Sequence, residues 1–405
     1  MYSVGIDVAQ HTHKCVCLDN DGEKFGKTLS LTNTTEGYQQ LLSDFASSGI
    51  TPANSKIGLE ATGNHWENLY SFLSDKGFSL VLLNPYQTNR YRQALMKKAK
   101  TDDIDALVIA GLIRSNDYAA SYIPEETVQT LREITKLRYG FIKDLQDYQR
   151  QTQALLSLVF PEYQQSPLKN PFAVGSWAIL SAYPTAKHLA LAKPRQIEKI
   201  VRSIKGNNFN TDQIEQLISL AKNSVYSGRC SGSRASHLVM LLGLVKQLQS
   251  SIKDLDEQIE SALGGASGDH DNFPGSNLLT IPGVGKKTLA AFLSVVGTDG
   301  ATFSSATKII GYLGFFPQIY ESGTTRRDNL ISHRGPAYIK WALYNAGVAC
   351  LKHNPQMKTL YHRKLSQGKL PKQAIICVVK KLAQLMLSML KSGQPYEPAR
   401  VFAET

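Results

Sequence analysis

The chain has 405 residues and 42% hydrophobic content, enough to bury cores in two or three domains. Its 45 Lys and Arg against 33 Asp and Glu give a formal net charge of +12, an excess that favours polyanionic partners such as nucleic acid. Its five cysteines (Cys15, Cys17, Cys230, Cys350 and Cys377) form no Cys-x-x-Cys and no disulfide-like framework. No segment reads as a membrane span or signal peptide, so a cytoplasmic protein with no membrane partner is expected.

Three strand-like runs open the chain, Tyr2 to Val8, His13 to Leu18 and Lys24 to Leu31, with Asn20-Asp-Gly22 as a hairpin turn between the second and third. A helix follows over Thr34 to Phe45. Next come a strand closing on Glu60, a helix over Trp66 to Asp75 and a strand over Ser79 to Leu83. Strands alternating with helices imply a sheet covered by helices. The order of elements predicts an α/β, RNase H-like (RuvC-like) N-terminal domain.

Four carboxylates in this region point to chemistry. Asp7 lies in the run Tyr2-Ser-Val-Gly-Ile-Asp-Val-Ala9, Glu60 ends Lys56-Ile-Gly-Leu-Glu60, and Asp102 and Asp105 sit in Lys100-Thr-Asp-Asp-Ile-Asp-Ala106. A carboxylate in a buried strand is costly unless a cation or hydrogen bonds compensate it. The apolar run after Asp105 predicts a helix over Asp102 to Ser115, which puts the two acids three apart on one face. Hard oxygen ligands of this kind suit Mg²⁺ or Mn²⁺, and two such ions roughly 3.5–4 Å apart serve the attacking and leaving oxygens of a phosphodiester. Taken singly, each acid reads as a strand end or a helix cap. An actin-like sugar kinase also opens on an Asp-bearing strand, but follows it with a Gly and a Thr or Ser, where this chain reads Asp7-Val-Ala-Gln10. His11, His13, Cys15 and Cys17 alternate along one strand, yet no distant cluster completes a zinc site. Just before the Asp pair, Arg90, Arg92, Lys97, Lys98 and Lys100 are interleaved with Tyr86 and Tyr91, which places phosphate contacts beside the metals.

The middle of the chain reads as a helical coiled coil. Leu238, Leu241, Val245, Leu248, Ile252, Leu255, Ile259 and Ala262 step by three and four, and a weaker seam runs from Leu131 to Val159. The two seams are expected to pair with each other or across a subunit interface, as a homo-oligomer (dimer or tetramer). Between them, 161–236 is a proline-interrupted helical insert. A break at Gly264-Gly-Ala-Ser-Gly-Asp269 sets the predicted domains at 1–120, 121–265 and 266–405.

The last domain is expected to be mainly α. Leu279-Thr-Ile-Pro-Gly-Val-Gly-Lys-Lys287 followed by a helix looks like a helix-hairpin-helix, in which Gly283, Gly285 and Lys286 would approach a phosphate. Farther on, Gly314-Phe-Phe-Pro-Gln-Ile-Tyr-Glu-Ser-Gly323 presents Ser322 beside a glycine in a basic loop, with Arg326, Arg327, His333 and Arg334 nearby to bind phosphate. A lone Ser-Gly would read as a turn.

Together these motifs resemble the DEDD-type transposases of the IS one-ten (IS110) insertion-sequence family, relatives of the pilin-gene invertases. The family's Lys-Thr-Asp-x-x-Asp-Ala is matched at Lys100 to Ala106, its first Asp at Asp7, its Glu at Glu60 and its nucleophilic serine at Ser322. Where the family commonly reads Ser-Lys-Arg-Gly-Asn and then Arg, this chain has Ser332-His-Arg-Gly-Pro336 and Lys340. The resemblance implies that Ser322 attacks a DNA phosphodiester to form a phosphoserine, with Asp7, Glu60, Asp102 and Asp105 holding Mg²⁺ in a composite site. It also implies donor and target DNA as substrates and a structured bridge RNA that selects them by base pairing. Two alternatives stay open: a RuvC-like structure-selective nuclease, which needs only the carboxylates, and a non-enzymatic nucleic-acid-binding protein derived from a transposase.

Overall fold

The computed structural model describes residues 1–61, 63–95, 101–204, 209–264, 273–322, 325–332 and 335–402, with the backbone alone over 317–322, 325–331 and 400–401. Two compact units divide the chain, Met1–Ile123 and Pro124–Thr405.

The first unit is built on a mixed five-stranded sheet. Strands β1 (Tyr2–Asp7), β2 (Thr12–Leu18) and β3 (Lys24–Thr32) form an antiparallel meander, while β4 (Ser55–Glu60) and β5 (Ser79–Leu83) join β1 in parallel, giving the order β3-β2-β1-β4-β5. The β2–β3 turn is fixed by Asp19, whose Oδ1 accepts from the backbone N–H groups of Asp21, Gly22 and Glu23 at 2.9–3.0 Å, with Gly22 at φ +89°. Helices α1 (Thr35–Ser47) and α2 (Trp66–Asp75) bury Tyr38, Leu41, Phe45, Leu69 and Leu73 against Val4, Ile6, Ile57 and Leu59 on one face. After α3 (Pro85–Ala94), helix α4 (Asp102–Ser115) covers the opposite face.

Two glycines let α4 lie close to the sheet. Gly5 and Gly58 stand opposite each other in the β1–β4 pair. A Cβ on Gly5 would sit 2.1 Å from the Ala106 carbonyl oxygen, and one on Gly58 would sit 2.5 Å from Ile113. Because the Gly5 clash is with backbone, no side-chain rotation relieves it. Gly5→Ala is therefore expected to cost about 1–3 kcal/mol as an overpacking change; a urea unfolding midpoint equal to wild type would contradict this contact.

In the second unit, α5 (Glu126–Val159) leads through four short helices, α6 (Val174–Ala182), α7 (Ala186–Leu191), α8 (Pro194–Arg202) and α9 (Thr211–Lys222), into α10 (Ser231–Gly264). The ends of the long helices match in opposite sense. Leu131 of α5 shares a core with Ile259 and Leu263 of α10, and Leu156 and Val159 share one with Leu238 and Leu242. The two seams thus pair within one chain as an antiparallel hairpin. Each fully buried Leu or Ile there contributes about 1.5–3 kcal/mol, against about 0–1 kcal/mol for an exposed pair such as Lys253–Glu257. The seam, not its surface charges, holds the hairpin. At its far end α6 to α9 pack around Ile179, Leu189, Ile197 and Ile214.

At the other end, α11 (Lys286–Val296), α12 (Ala306–Leu313), a hairpin of β6 (Pro317–Ser322) and β7 (Thr325–Ile331), α13 (Ala337–His353), α14 (Pro355–Ser366) and α15 (Pro371–Ser392) complete the unit. Among the described residues the expected helix-hairpin-helix is reduced, with a five-residue 3-10 turn, Ser276–Thr280, ahead of the Pro282-Gly283 bend. One expectation is corrected. Helix α15 is long and apolar enough to cross a membrane, yet Val378, Val379, Leu382, Met386 and Met389 are fully buried in this core. Its apolarity serves packing.

Candidate active site

Adjacent parallel strands carry Asp7 and Glu60 to the same edge of the sheet, since β1 and β4 run in register with Ile6 opposite Leu59. Side chains alternate along a strand, so Asp7 shares its face with Gly5, and Glu60 with Gly58. That is the face α4 covers. The close approach at Gly5 sets Ala106, and with it Asp105, over the strand ends. Glu60 and Asp105 are buried, Asp7 is half-buried and Asp102 is exposed. Thr101 begins the helix, its hydroxyl accepting from the Ile104 N–H at 3.4 Å, so Asp102 is left free of the capping role.

Positive side chains already stand among these acids. Arg92 of α3 places its guanidinium 2.7 Å from Asp105 Oδ1, and Lys14 of β2 lies 3.7 Å from Asp103. The Arg92 contact is close but poorly aligned, so Asp105 Oδ1 remains buried with no hydrogen bond of ordinary geometry. The attraction is Coulombic. Among the described residues, no three His, Cys, Asp or Glu side chains are close enough together to hold an ion. The donor set nonetheless fits a hard divalent cation in kind: carboxylates on neighbouring strand ends and one helix, one of them buried with an unsatisfied oxygen. Arg92, expected as a phosphate contact, pairs through its guanidinium with Asp105 in this structure. Arg90 is exposed and lies over the Tyr86 ring at 4.8 Å. Lys97, Lys98 and Lys100 lie outside the described residues.

The residues that set this geometry have a signature that sequence reasoning passed over. Both strands read Gly-x-acid, Gly5-Ile-Asp7 and Gly58-Leu-Glu60, because each helix-facing glycine precedes its carboxylate by one strand period. Helix α3 also went unread, although Asn84-Pro85 is a start signal; the Asn84 side chain accepts from the Tyr86 N–H at 2.9 Å.

His13 borders this edge. It is fully buried, its Nδ1 accepts from the Ala9 N–H at 3.2 Å, and its Nε2 has no hydrogen-bond partner. Burial pushes its pKa below the ordinary value, opposed by Asn33 and reinforced by His65. The folded chain therefore holds this ring neutral, and the unfolded chain binds its proton first as pH falls. Stability from this group is complete above about pH 6.5 and declines below it, down to the depressed folded value. Unfolding free energies at pH 7.5 and 5.5 should differ less in His13→Asn than in wild type; equal pH dependence would contradict the assignment. The alternating His11, His13, Cys15 and Cys17 assemble no metal site among the described residues.

In the second unit, Ser322 is the last residue of β6 and pairs with Thr325 across the tip of the β6–β7 hairpin. A strand end was not expected there. The hairpin's base is tied by the Ser332 N–H donating to the Phe316 carbonyl at 3.1 Å. Gly335 follows at φ +82°, where a Cβ would meet the Tyr312 carbonyl oxygen at 2.4 Å. Its glycine is thus required by packing. Arg326 and Arg327 lie on β7, and Gly323, His333 and Arg334 lie outside the described residues. At the reduced hairpin, Gly283 has φ +102° and a Cβ on it would strike the backbone N of Cys350 at 2.7 Å, whereas Gly285 faces open space as the N-cap of α11. Lys286 is half-buried and lies 3.8 Å from Glu260.

Residues 4–161 match the family model of the IS110-type DEDD transposases, described as Transposase, and residues 275–362 match the Transposase IS116/IS110/IS902 family; together the matches span more than half of the chain. The chain belongs to the IS110 transposase family. Similar proteins cover it from end to end. A pilin gene-inverting protein of Moraxella lacunata is 23% identical over 397 residues, 97% of each chain. The 44.8 kDa protein of insertion element IS116 from Streptomyces clavuligerus is 24% identical over 408 residues, 99% of this chain and 98% of that one. The 43.6 kDa protein of IS110 from Streptomyces coelicolor is 26% identical over 330 residues, 80% and 78% of the two chains. For this IS110-family transposase the first match takes in the whole carboxylate edge, and the second takes in the β6–β7 hairpin with Ser322.

Proposed function

We propose that this IS110-family transposase cleaves and rejoins DNA through a covalent phosphoserine at Ser322, with Asp7, Glu60, Asp102 and Asp105 as the metal-binding set. Family membership makes the chain a DNA transposase or recombinase in general terms. The observation that carries the finer reading is the convergence of Asp7, Glu60 and α4 on one edge of the sheet, set by Gly5 and Gly58. The strand order β3-β2-β1-β4-β5, antiparallel then parallel, supports an RNase H-like assignment for the first unit. Divalent cations, Mg²⁺ or Mn²⁺, supply activation of the attacking oxygen and neutralisation of phosphate charge when bound.

The residues of the chain do the rest. Ser322 Oγ attacks phosphorus, its proton leaves with the departing DNA oxygen, and the phosphoserine keeps the phosphodiester's energy for rejoining. Arg326 and Arg327, on the strand paired with that of Ser322, are the candidates to neutralise the phosphate. A bridge RNA choosing donor and target DNA, and a cytoplasmic location where both are reached, belong to the same proposal.

We also propose self-association. With the seam consumed inside the chain, Val239, Met240 and Leu244 remain exposed on the outer side of α10 and offer an apolar strip for it. Light scattering that finds only monomer, with and without nucleic acid, would contradict this part.

The test of function is a plasmid excision-and-insertion assay with the coding frame and its flanking noncoding DNA supplied together. New donor–target junctions that vanish when the noncoding segment is removed are expected. Junctions formed equally without it would remove the RNA from the account, and no junctions at all, only cut DNA, would favour a nuclease.

A further inference from the structure

A cavity of about 280 Å³ opens in the second unit between α5, α11 and α13, and no step proposed above uses it. Its volume lies just below the about 300–1,000 Å³ typical of sites for drug-sized ligands, which suits one flat ring system. Tyr139 and Trp341 supply aromatic walls, their ring centroids 5.9 Å apart, and Thr288 and the exposed amide of Asn345 add polar groups that donate and accept. Its rim is cationic. Arg138 and Lys287 share the single carboxylate of Asp256, with Arg138 Nε at 2.5 Å, so one positive charge is left over. Lys287 stands in the first turn of α11, whose leading N–H groups emerge beside the open Gly285.

We propose that this cavity takes one unstacked nucleobase of a single-stranded segment, stacked on Trp341 and hydrogen-bonded at its edge by Asn345, while the adjoining phosphate rests on Lys287 and the start of α11. An aromatic wall without charge would accept many ligands, and a charged rim without the wall would accept any anion. Their juxtaposition selects a planar ring carrying a phosphate. The inference rests on the reading that this chain handles nucleic acid. It adds a place where an extruded base is held apart from the reacting phosphodiester.

The test uses the full chain with three probes: a single-stranded DNA oligonucleotide of mixed sequence, the RNA of the same sequence, and the DNA duplex. Trp341→Leu removes the stacking wall. Asn345→Trp, at an exposed position, fills the mouth without touching the core and decides the matter if Trp341→Leu misfolds. Base stacking is worth about 1–3 kcal/mol, so single-strand affinity should fall roughly five- to hundredfold in either variant, with duplex affinity within about threefold of wild type. A fall in the DNA arm alone assigns the base to a displaced DNA strand, a fall in the RNA arm alone to the RNA; either supports the site. Variants that bind single strands as wild type does, or lose single strand and duplex equally, overturn it and leave the transposase reading intact. A wild-type chain that binds none of the probes would instead overturn the nucleic-acid reading itself.

Discussion

Replacing Asp102 and Asp105 together by Asn should lower DNA strand exchange by about a thousandfold or more, the scale set by losing several kcal/mol of metal-derived charge stabilisation. The amide keeps the volume of Asp105 and leaves Arg92 a polar neighbour at the contact that is 2.7 Å in the parent, so the fold is retained. Asn is a better probe than Ala here, since truncation would leave a half-buried guanidinium facing a void. Asp103 supplies the contrast. It is exposed on the same turn and, among the described residues, pairs with Lys14 at 3.7 Å, so Asp103→Asn should exchange strands within about twofold of wild type. Excess chelator should reproduce the double variant, and Mg²⁺ or Mn²⁺ should reverse it. Full exchange in chelator, or by the double variant, would remove the metal from the account.

Ser322→Ala should abolish strand exchange, by about 10⁴-fold or more, the range seen when a covalent nucleophile is removed. The position ends the strand β6, where Ser322 pairs with Thr325, and the residue is no member of the second unit's core cluster, so the variant is expected to fold. DNA binding is carried by other residues and is expected to persist. The direction of failure separates mechanisms: a two-metal hydrolase would still cut with water, whereas a serine recombinase would neither cut nor rejoin. A Ser322→Ala chain that cleaves as fast as wild type would make the carboxylates sufficient.

Much of the first unit is legible in the sequence because its signals are local. The alternation in Tyr2 to Val8, the Asn20-Asp-Gly22 turn and the Asp102 to Ser115 periodicity each specify an element by short-range chemistry, and all three elements stand where expected. The closeness of α4 to the sheet is not local. It depends on Gly5 facing Gly58 across two strands 53 positions apart in the chain, a pairing that only the register reveals. The β6–β7 hairpin escaped for another reason. Its second strand, Thr325-Arg-Arg-Asp-Asn-Leu-Ile331, carries charges where an alternating apolar face would normally mark a strand. Arg92 looked like one of several cations in a basic run, and its engagement with Asp105 follows from α3 packing beside α4. The apolar seam of α10 predicted a partner helix correctly, but a repeat of apolar positions is silent on whether that helix belongs to the same chain; the matched ends of α5 and α10 answer it.

The covalent linkage between Ser322 and DNA is the central claim, and it can be observed directly. Wild-type chain with Mg²⁺ and end-labelled donor DNA is stopped with denaturant during the reaction, separated by denaturing electrophoresis, and digested to locate the modified peptide. The account predicts a labelled protein–DNA adduct that is absent from Ser322→Ala and whose phosphorylated residue is Ser322. Rejoined products accumulating from wild type with no adduct at any time point, or an adduct that persists in Ser322→Ala, would contradict it.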